Sequence, residues 1–225
     1  MAAGSVPQID AIKSAVQERY TGLATCCSPL SCGAALDKAA PARGEVLVDL
    51  GCGRGQDVIR AAGRVGPSGA AVGIDISEGM LEKARASVPP FLKNVRFVSC
   101  DLEKLELADK FADVLISNCT INHAPDKLAV YREIFRVLRD GGRFVVSDVI
   151  AEQELPETVR SDPEAWAACY GGAITEPEYM RAVHEAGFHR VEVLTRSDPY
   201  EKGSVMVRSL TIRGFRDHAD GGELP

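Results

Sequence analysis

Seven cysteines are the side chains of this chain best suited to bind or react with a soft atom. They are Cys26, Cys27, Cys32, Cys52, Cys100, Cys119 and Cys169. None of them forms a Cys-x-x-Cys pair, and an odd number scattered over 225 residues is unlike a closed zinc site. The N-terminus shows no signal peptide, so we expect a reducing compartment in which structural disulfides are rare. The cysteines are therefore expected to be buried, to bind a soft ion or to take part in catalysis.

A second candidate site is the glycine-rich stretch between a predicted strand and a predicted helix. It reads Val48-Asp49-Leu50-Gly51-Cys52-Gly53-Arg54-Gly55. The glycines Gly51, Gly53 and Gly55 permit a tight turn and let a ligand approach main-chain N–H groups at the start of the helix. Dinucleotide-binding loops prefer Gly-x-Gly-x-x-Gly, whereas this loop reads Gly-x-Gly-x-Gly and has Asp49 two residues before it. The spacing therefore disfavours NAD.

Polar residues also stand at the ends of the predicted strands. Asp75 ends the second strand, where a carboxylate can hold both hydroxyls of a ribose. Asp101 and Leu102 follow the third strand, where the edge of an adenine could be read, and Asn118 ends the fourth. Met80, in the helix after the second strand, completes the set of candidate cofactor residues. Open α/β sheets bind ligands at the carboxyl ends of their strands, so we expect these residues to converge.

Alternating short apolar runs and amphipathic segments must position these residues. The predicted strands are Val46–Leu50, Ala70–Ile74, Val95–Ser99, Val114–Ser117 and Arg143–Asp148. The predicted helices between them are Asp57–Arg64, Glu78–Ser87 and Lys127–Arg139. Strands separated by single helices require right-handed crossovers, so the pattern predicts an α/β fold with a mostly parallel, doubly wound sheet.

The two ends of the chain depart from this alternation of strands and helices. An amphipathic helix is predicted over Gln8–Leu23, with Val16 and Tyr20 in its apolar stripe, and a Cys/Ser/Pro/Gly loop follows it. Past Pro163 we expect one helix that carries Trp166 and Cys169, and a second that begins near Thr175. The strands predicted over Val191–Thr195 and Val205–Ile212 are joined by a loop alone, so they pair antiparallel or not at all.

The predicted organisation has four parts. They are an N-terminal helix with a Cys-rich loop (1–44), a cofactor-binding domain (45–150), a substrate-covering region of helices and final strands (151–216) and a tail (217–225).

The glycine loop, the strand-end acids and the run Leu138-Arg139-Asp140-Gly141-Gly142-Arg143 resemble class I S-adenosylmethionine-dependent methyltransferases. The resemblance covers roughly Glu45 to Ile150. It implies a Rossmann-like sheet whose last strand inserts antiparallel, and S-adenosylmethionine as the cofactor.

Two later segments resemble one particular group within these methyltransferases. Ser117-Asn118-Cys119-Thr120-Ile121-Asn122, followed by Pro125-Asp126-Lys127, is similar to the segment after the fourth strand of arsenite methyltransferases. Trp166-Ala167-Ala168-Cys169-Tyr170-Gly171-Gly172-Ala173 is similar to the second substrate segment of that family. The similarity extends from Val16 to about Phe188. It implies methyl transfer to trivalent arsenic, in aid of arsenic detoxification, with a thiol reductant such as glutathione or thioredoxin as a partner.

The family resemblance also implies roles for individual cysteines. As(III) is soft and thiophilic, so thiolates suit it and carboxylates do not. Cys119 and Cys169 lie in the matching segments and are the expected arsenic ligands, with Cys32 as the third. Cys52 and Cys100 are expected to be packing residues. The adjacent pair Cys26 and Cys27 could deliver arsenic or act as a redox partner.

His123 departs from the family pattern, because many relatives carry an apolar residue at this position. It could line the pocket or cap the helix that follows Asp126.

Charge and hydropathy exclude several other functions. The net charge of −6 leaves no basic surface for nucleic acid or anionic lipid, and no apolar run approaches the length of a membrane span, so we expect a cytoplasmic protein. An arsenic sensor is disfavoured because it would need a basic helix to contact DNA. The competing enzymatic interpretation is methyl transfer to a small organic molecule, with the cysteines in the core.

Overall fold

The computed structural model describes residues 6–23 and 34–217. The helices are α1 (Val6–Leu23), α2 (Ala35–Ala39), α3 (Gln56–Val65), α4 (Glu78–Ser87), α5 (Lys127–Val137), α6 (Glu157–Arg160), α7 (Pro163–Ala167) and α8 (Glu176–Glu185), with a 3₁₀ turn at Ile121–His123. The strands are β1 (Val46–Leu50), β2 (Ala70–Asp75), β3 (Val95–Ser99), β4 (Ala112–Asn118), β5 (Leu138–Ala151), β6 (Arg190–Arg196), β7 (Tyr200–Lys202) and β8 (Val205–Phe215).

Within the described residues the strands form one sheet. Its order is β3-β2-β1-β4-β5-β8-β6, and β7 pairs with β8. Strands β1 to β5 are parallel, whereas β8 runs antiparallel to both β5 and β6. The prediction of a doubly wound α/β sheet with an antiparallel last strand is confirmed. The direction of strand order reverses between β1 and β4, which is where such sheets bind ligands.

Several element bounds differ from the prediction for local reasons. The helix predicted over Lys127–Arg139 ends at Val137, because Leu138 already pairs with Ala112 and begins β5. The helix predicted to carry Cys169 ends at Ala167. Cys169 has a φ of 71°, which a right-handed helix cannot contain, so the prediction of a helical Cys169 is wrong.

Fully buried side chains anchor helices to both faces of the sheet. On one face Tyr131 of α5 donates a 2.9 Å hydrogen bond to the Tyr179 hydroxyl of α8, and Phe144 packs edge-on against Phe188. On the other face α2 and α3 are buried through an apolar cluster that includes Leu36. A smaller cluster of apolar side chains packs α6 and α7 against the ends of β5 and β8. The helices that flank the Cys169 segment are thus packed against the sheet.

Helix α1 packs across the carboxyl ends of the strands. It contacts α4, α7 and the 3₁₀ turn, and it buries Ile12 and Val16. Among the described helices none combines the length and the apolar character needed to cross a membrane.

Candidate active site

A cavity of about 160 Å³ lies at the carboxyl ends of the parallel strands, where the strand order reverses. Its walls are the segments that follow β1, β2, β3 and β4, together with one face of α1. The convergence that the strand-end residues predicted is therefore present.

The glycine loop forms one wall of this cavity. Gly51, Gly53 and Gly55 all have left-handed backbone angles, with φ of 70°, 51° and 74°. A Cβ at Gly51 would lie 2.1 Å from the Thr120 hydroxyl oxygen, whereas a Cβ at Gly53 would enter open space. Gly55 does not line the cavity; a Cβ there would meet Phe97, so its part is to let α3 approach the sheet.

The Asp75 carboxylate is held by the main chain. One oxygen accepts a 2.9 Å hydrogen bond from the Gly53 N–H and the other accepts one from the Ser77 N–H. Ser77 also caps α4 by accepting from the Met80 N–H. Met80 itself is fully buried and does not line the cavity.

Several carboxylates lie close together beneath the loop. Burial raises the pKa of Asp49 well above its usual value, and the neighbouring carboxylates of Asp57 and Asp75 raise it further. Burial raises the pKa of Asp75 as well. Like charges in a low-dielectric region repel each other, so a cationic ligand would reduce the repulsion among the carboxylates on this wall of the cavity. The sequence analysis did not identify Asp57 as a site residue, although it is a charged residue only two positions after Gly55, in the first turn of α3.

The remaining cofactor candidates also line the cavity. The Lys13 ammonium of α1 forms an ion pair with the Asp101 carboxylate at 2.6 Å and a second one with the Glu103 carboxylate. Leu102 follows it on the same wall. The Asn118 side chain accepts from the Ala35 N–H, and its amide nitrogen lies 3.3 Å from an Asp57 oxygen.

Two cysteines meet where β4 ends. The Cys169 Sγ lies 2.7 Å from the Cys119 carbonyl oxygen, although the two residues are 50 positions apart. Both have left-handed backbone angles, and Cys119 lines the cavity while Cys169 is buried beside it. Cys32, with Cys26 and Cys27, lies outside the described residues.

The other two described cysteines are not part of this pair. Cys52 belongs to the glycine loop and lines the cavity, but it is buried, and burial raises the pKa of its thiol well above the usual value. Cys100 is partly buried after β3 and packs against the apolar core. Over residues 6–23 and 34–217 no group of three or more His, Cys, Asp and Glu side chains is placed to hold a metal ion.

His123 lines the cavity, which was one of the two roles expected for it. Its Nε2 lies 3.0 Å from the Tyr20 hydroxyl, and its Nδ1 lies 2.9 Å from the Trp166 carbonyl oxygen. Burial lowers the pKa of His123 to about 4. The helix after it is capped instead by Asp126, which accepts from the Ala129 N–H. Tyr20 was predicted only as part of an apolar stripe, and periodicity could not reveal its hydroxyl contact.

Two buried side chains of opposite charge behind the cysteines were not predicted. Asp148 accepts hydrogen bonds from the main-chain N–H groups of Asn122 and Val149, and burial raises its pKa to about 6. The Lys127 ammonium lies 5.4 Å from the centre of the Trp166 ring, and burial lowers its pKa to about 8. Opposite charges thus balance each other in this region.

Comparison with known proteins identifies the family. Residues 41–187 match a family model described as a methyltransferase domain. This chain belongs to the methyltransferase domain family. The expectation drawn from the glycine loop and the strand-end acids is confirmed.

The curated relatives that match this chain include methyltransferases of one substrate class. An arsenite methyltransferase from Halobacterium salinarum is 39% identical over 173 residues, which cover 76% of this chain and 44% of that protein. An arsenite methyltransferase from Aquipseudomonas alcaligenes is 36% identical over 150 residues, which cover 63% of this chain and 43% of that protein. The chain therefore spans less than half the length of these two relatives.

A solved structure extends the similarity to three dimensions. The crystal structure of an arsenic(III) S-adenosylmethionine methyltransferase from Chlamydomonas reinhardtii superposes with a TM-score of 0.72 at 28% identity. The match covers 93% of this chain and 74% of that one. The resemblance to arsenite methyltransferases that the two cysteine segments predicted is confirmed.

Proposed function

We propose that this chain transfers methyl groups from S-adenosylmethionine to trivalent arsenic held by cysteine thiolates. The observation that carries the proposal is the meeting of Cys119 and Cys169 at the wall of the cavity that the glycine loop also lines. Buried cysteines in a core need no such approach and no left-handed backbone. The similarity to curated arsenite methyltransferases supports the same substrate.

S-adenosylmethionine is the cofactor, and the cavity fits its charges and shape. Main-chain N–H groups hold both Asp75 oxygens in place, where the carboxylate can accept hydrogen bonds from the ribose hydroxyls. The raised pKa values of Asp49 and Asp75 favour a ligand with cationic groups, such as its ammonium and sulfonium. The open space beside Gly53 suits the methionine part. When bound, the cofactor supplies an electrophilic methyl carbon on its sulfonium sulfur.

The other candidate residues take supporting parts in this proposal. Asp101 and Leu102 contact the edge of the adenine. Asn118 lies between the cofactor and the cysteines, since it directly precedes Cys119. Met80 and Gly55 act by packing, since neither lines the cavity.

Three thiolates, from Cys119, Cys169 and Cys32, hold the arsenic. Each As–S bond replaces an As–O bond, and the thiol proton leaves with the oxygen as water. The arsenic lone pair then forms the As–C bond while the C–S bond of the sulfonium breaks, so positive charge moves from sulfur to arsenic. This displacement needs alignment and the exclusion of water, and no general base. Cys169 comes from the region 151–216, which we propose covers the site.

A thiol reductant completes the proposed reaction. The methylated arsenic leaves the displacement two electrons more oxidised. Two thiols, from glutathione or from the dithiol of thioredoxin, supply two electrons by forming a disulfide, and the arsenic returns to the trivalent state. Such thiols are abundant in the cytoplasm, which is the location we propose.

Methyl transfer to arsenite in the presence of thiols tests the proposal. Cys119→Ser or Cys169→Ser alone should abolish it, because a hydroxyl is a poor ligand for a soft atom. The affinity for S-adenosylmethionine should survive in both variants. Cys100→Ser is the matched control and should keep full turnover.

Cys32→Ser should separate two steps. A monomethylated arsenical already carries one carbon and needs only two thiolates, so this variant should methylate it while failing on arsenite. Full arsenite turnover in Cys119→Ser or Cys169→Ser would contradict the proposal and favour a small organic substrate.

A further inference from the structure

Tyr20 of α1 is one of the residues that line the cavity. Tyr20 lies on the same face of α1 as Lys13 and Val16, and all three line the cavity. Its ring meets the His123 ring edge-on, with 5.2 Å between centroids and 77° between planes. Burial raises the pKa of Tyr20, and the nearby Cys169 and Cys119 raise it further, so the phenol keeps its proton. The hydroxyl is therefore a neutral polar group close to the cysteine pair.

The direction of the Tyr20–His123 hydrogen bond follows from the other contact of the imidazole. The Trp166 carbonyl oxygen can only accept, so His123 Nδ1 must carry a proton and donate it. With a pKa of about 4 the ring is neutral near pH 7, and Nε2 is therefore unprotonated. Nε2 can only accept, so the Tyr20 O–H donates to it. The proton of the phenol is thus directed to His123, and the oxygen lone pairs remain for a ligand.

The same imidazole is tied to the turn that presents one cysteine. The Trp166 carbonyl oxygen that accepts from His123 also accepts a 2.9 Å hydrogen bond from the Cys169 N–H. His123 therefore links α1 to the Cys169 turn, and it stands four residues after Cys119. A displacement of the imidazole would disturb the hydroxyl and the thiol together.

We propose that the Tyr20 oxygen, oriented by His123, accepts C–H···O contacts from the sulfonium methyl group and aligns that group with the cysteine pair. The hydrogens on a carbon next to a cationic sulfur are polarised, and an oxygen with free lone pairs is a suitable acceptor for them. Tyr20 is then a catalytic residue that touches the cofactor, and His123 is its positioning residue. This assignment rests on the proposed use of S-adenosylmethionine and not on the identity of the methyl acceptor.

The affinities for S-adenosylmethionine and S-adenosylhomocysteine test the assignment, because only the first carries the methyl group. Calorimetry on the full chain should show that Tyr20→Phe weakens the binding of S-adenosylmethionine by about twofold to fivefold and leaves that of S-adenosylhomocysteine unchanged. An equal loss for both ligands, or no loss for either, would overturn the assignment. Phenylalanine keeps the ring, so the packing of α1 is preserved.

Two substitutions at His123 form a matched pair. His123→Gln offers an acceptor near the place of Nε2, whereas His123→Asn offers a donor near the place of Nδ1. The first should keep the preference for S-adenosylmethionine over S-adenosylhomocysteine, and the second should lose it. The opposite order would contradict the inferred direction of the hydrogen bond.

A spectroscopic measurement gives a readout independent of affinity. The methyl protons of bound, ¹³C-methyl-labelled S-adenosylmethionine should resonate further downfield in the wild-type protein than in Tyr20→Phe, because a C–H···O contact deshields them. Identical shifts would overturn the assignment. These binding measurements stand even if arsenite is not the acceptor, so failure of the proposed substrate and failure of this assignment are distinguishable.

Discussion

The two walls of the cavity handle charge in different ways. The cofactor wall consists of Asp49, Gly51, Gly53, Asp57, Asp75 and Asp101. The thiol wall consists of Cys119, His123 and the buried residues behind them, Lys127, Asp148 and Cys169. Carboxylates dominate the cofactor wall, whereas the thiol wall has one buried cation, Lys127, and one buried anion, Asp148, behind it.

This difference indicates what each wall can bind. The carboxylates of Asp49 and Asp75 both have raised pKa values, so their excess charge favours a cationic ligand. On the thiol wall Lys127 and Asp148 offset each other, and His123 is neutral near pH 7. A neutral soft atom is then accommodated without a further counter-charge. Substitutions on one wall should therefore leave the ligand of the other wall unaffected, except at His123, which orients the Tyr20 hydroxyl toward the cofactor.

Gly51→Val should break this independence, and we expect it to have the largest effect. The walls meet here, because a Cβ at Gly51 would overlap Thr120, the residue after Cys119. Backbone strain and overlap together should lower the free energy of unfolding by about 3 kcal/mol or more. Binding of both S-adenosylmethionine and arsenite should fall below detection in calorimetry.

The matched control is Gly63→Ala within α3, where a Cβ meets nothing within 4 Å. That variant should be about 0.5–1 kcal/mol more stable than the wild type, since alanine is the better helix former. A Gly51→Val protein that binds either ligand normally would mean that the walls do not meet at Gly51.

Asp75→Ala should sharpen the comparison with an effect on one wall only. It removes the carboxylate proposed to hold two ribose hydroxyls, which should cost about 1.5–3 kcal/mol of S-adenosylmethionine affinity. Arsenite binding, followed by titration of the thiols, should not change. Unchanged cofactor affinity would remove Asp75 from the ribose role.

Asp148→Asn should have the smallest effect on ligand binding, and its effect should appear instead in the pH dependence of stability. Because the pKa of Asp148 is about 6 in the folded protein against a usual 3.8, the folded state binds its proton more tightly. Its contribution to stability is then complete below about pH 4 and is lost as the pH rises through 6.

Denaturant unfolding at pH 4, 5, 6 and 7 measures this contribution. The stability of the wild type relative to Asp148→Asn should decline across that range, while cofactor affinity stays equal in the two proteins. A constant difference would mean that Asp148 titrates normally and that the thiol wall admits water.

Much of the cofactor wall was predictable from local sequence. Strands β1 and β3 and helix α4 have the predicted bounds, and the glycine loop and the strand-end acids follow them directly. Periodicity and turn chemistry are local, and the parallel topology then brings all the strand ends to one edge of the sheet. Even here tertiary contacts changed details, since Met80 and Gly55 were expected at the cofactor and lie outside the cavity lining.

The sequence by itself therefore determined the sheet, its switch point and the residues that gather there. For the thiol wall the family resemblance named Cys119 and Cys169 as ligands, but only the tertiary structure decided how the wall is built. Cys119 and Cys169 are 50 residues apart, and Tyr20 and His123 are 103 apart. No period or spacing encodes such contacts, because they depend on how α1 and α7 pack over the ends of the strands. The left-handed turn at Cys169 is likewise held by the packing of Trp166 and its carbonyl, and not by the preference of cysteine for that conformation.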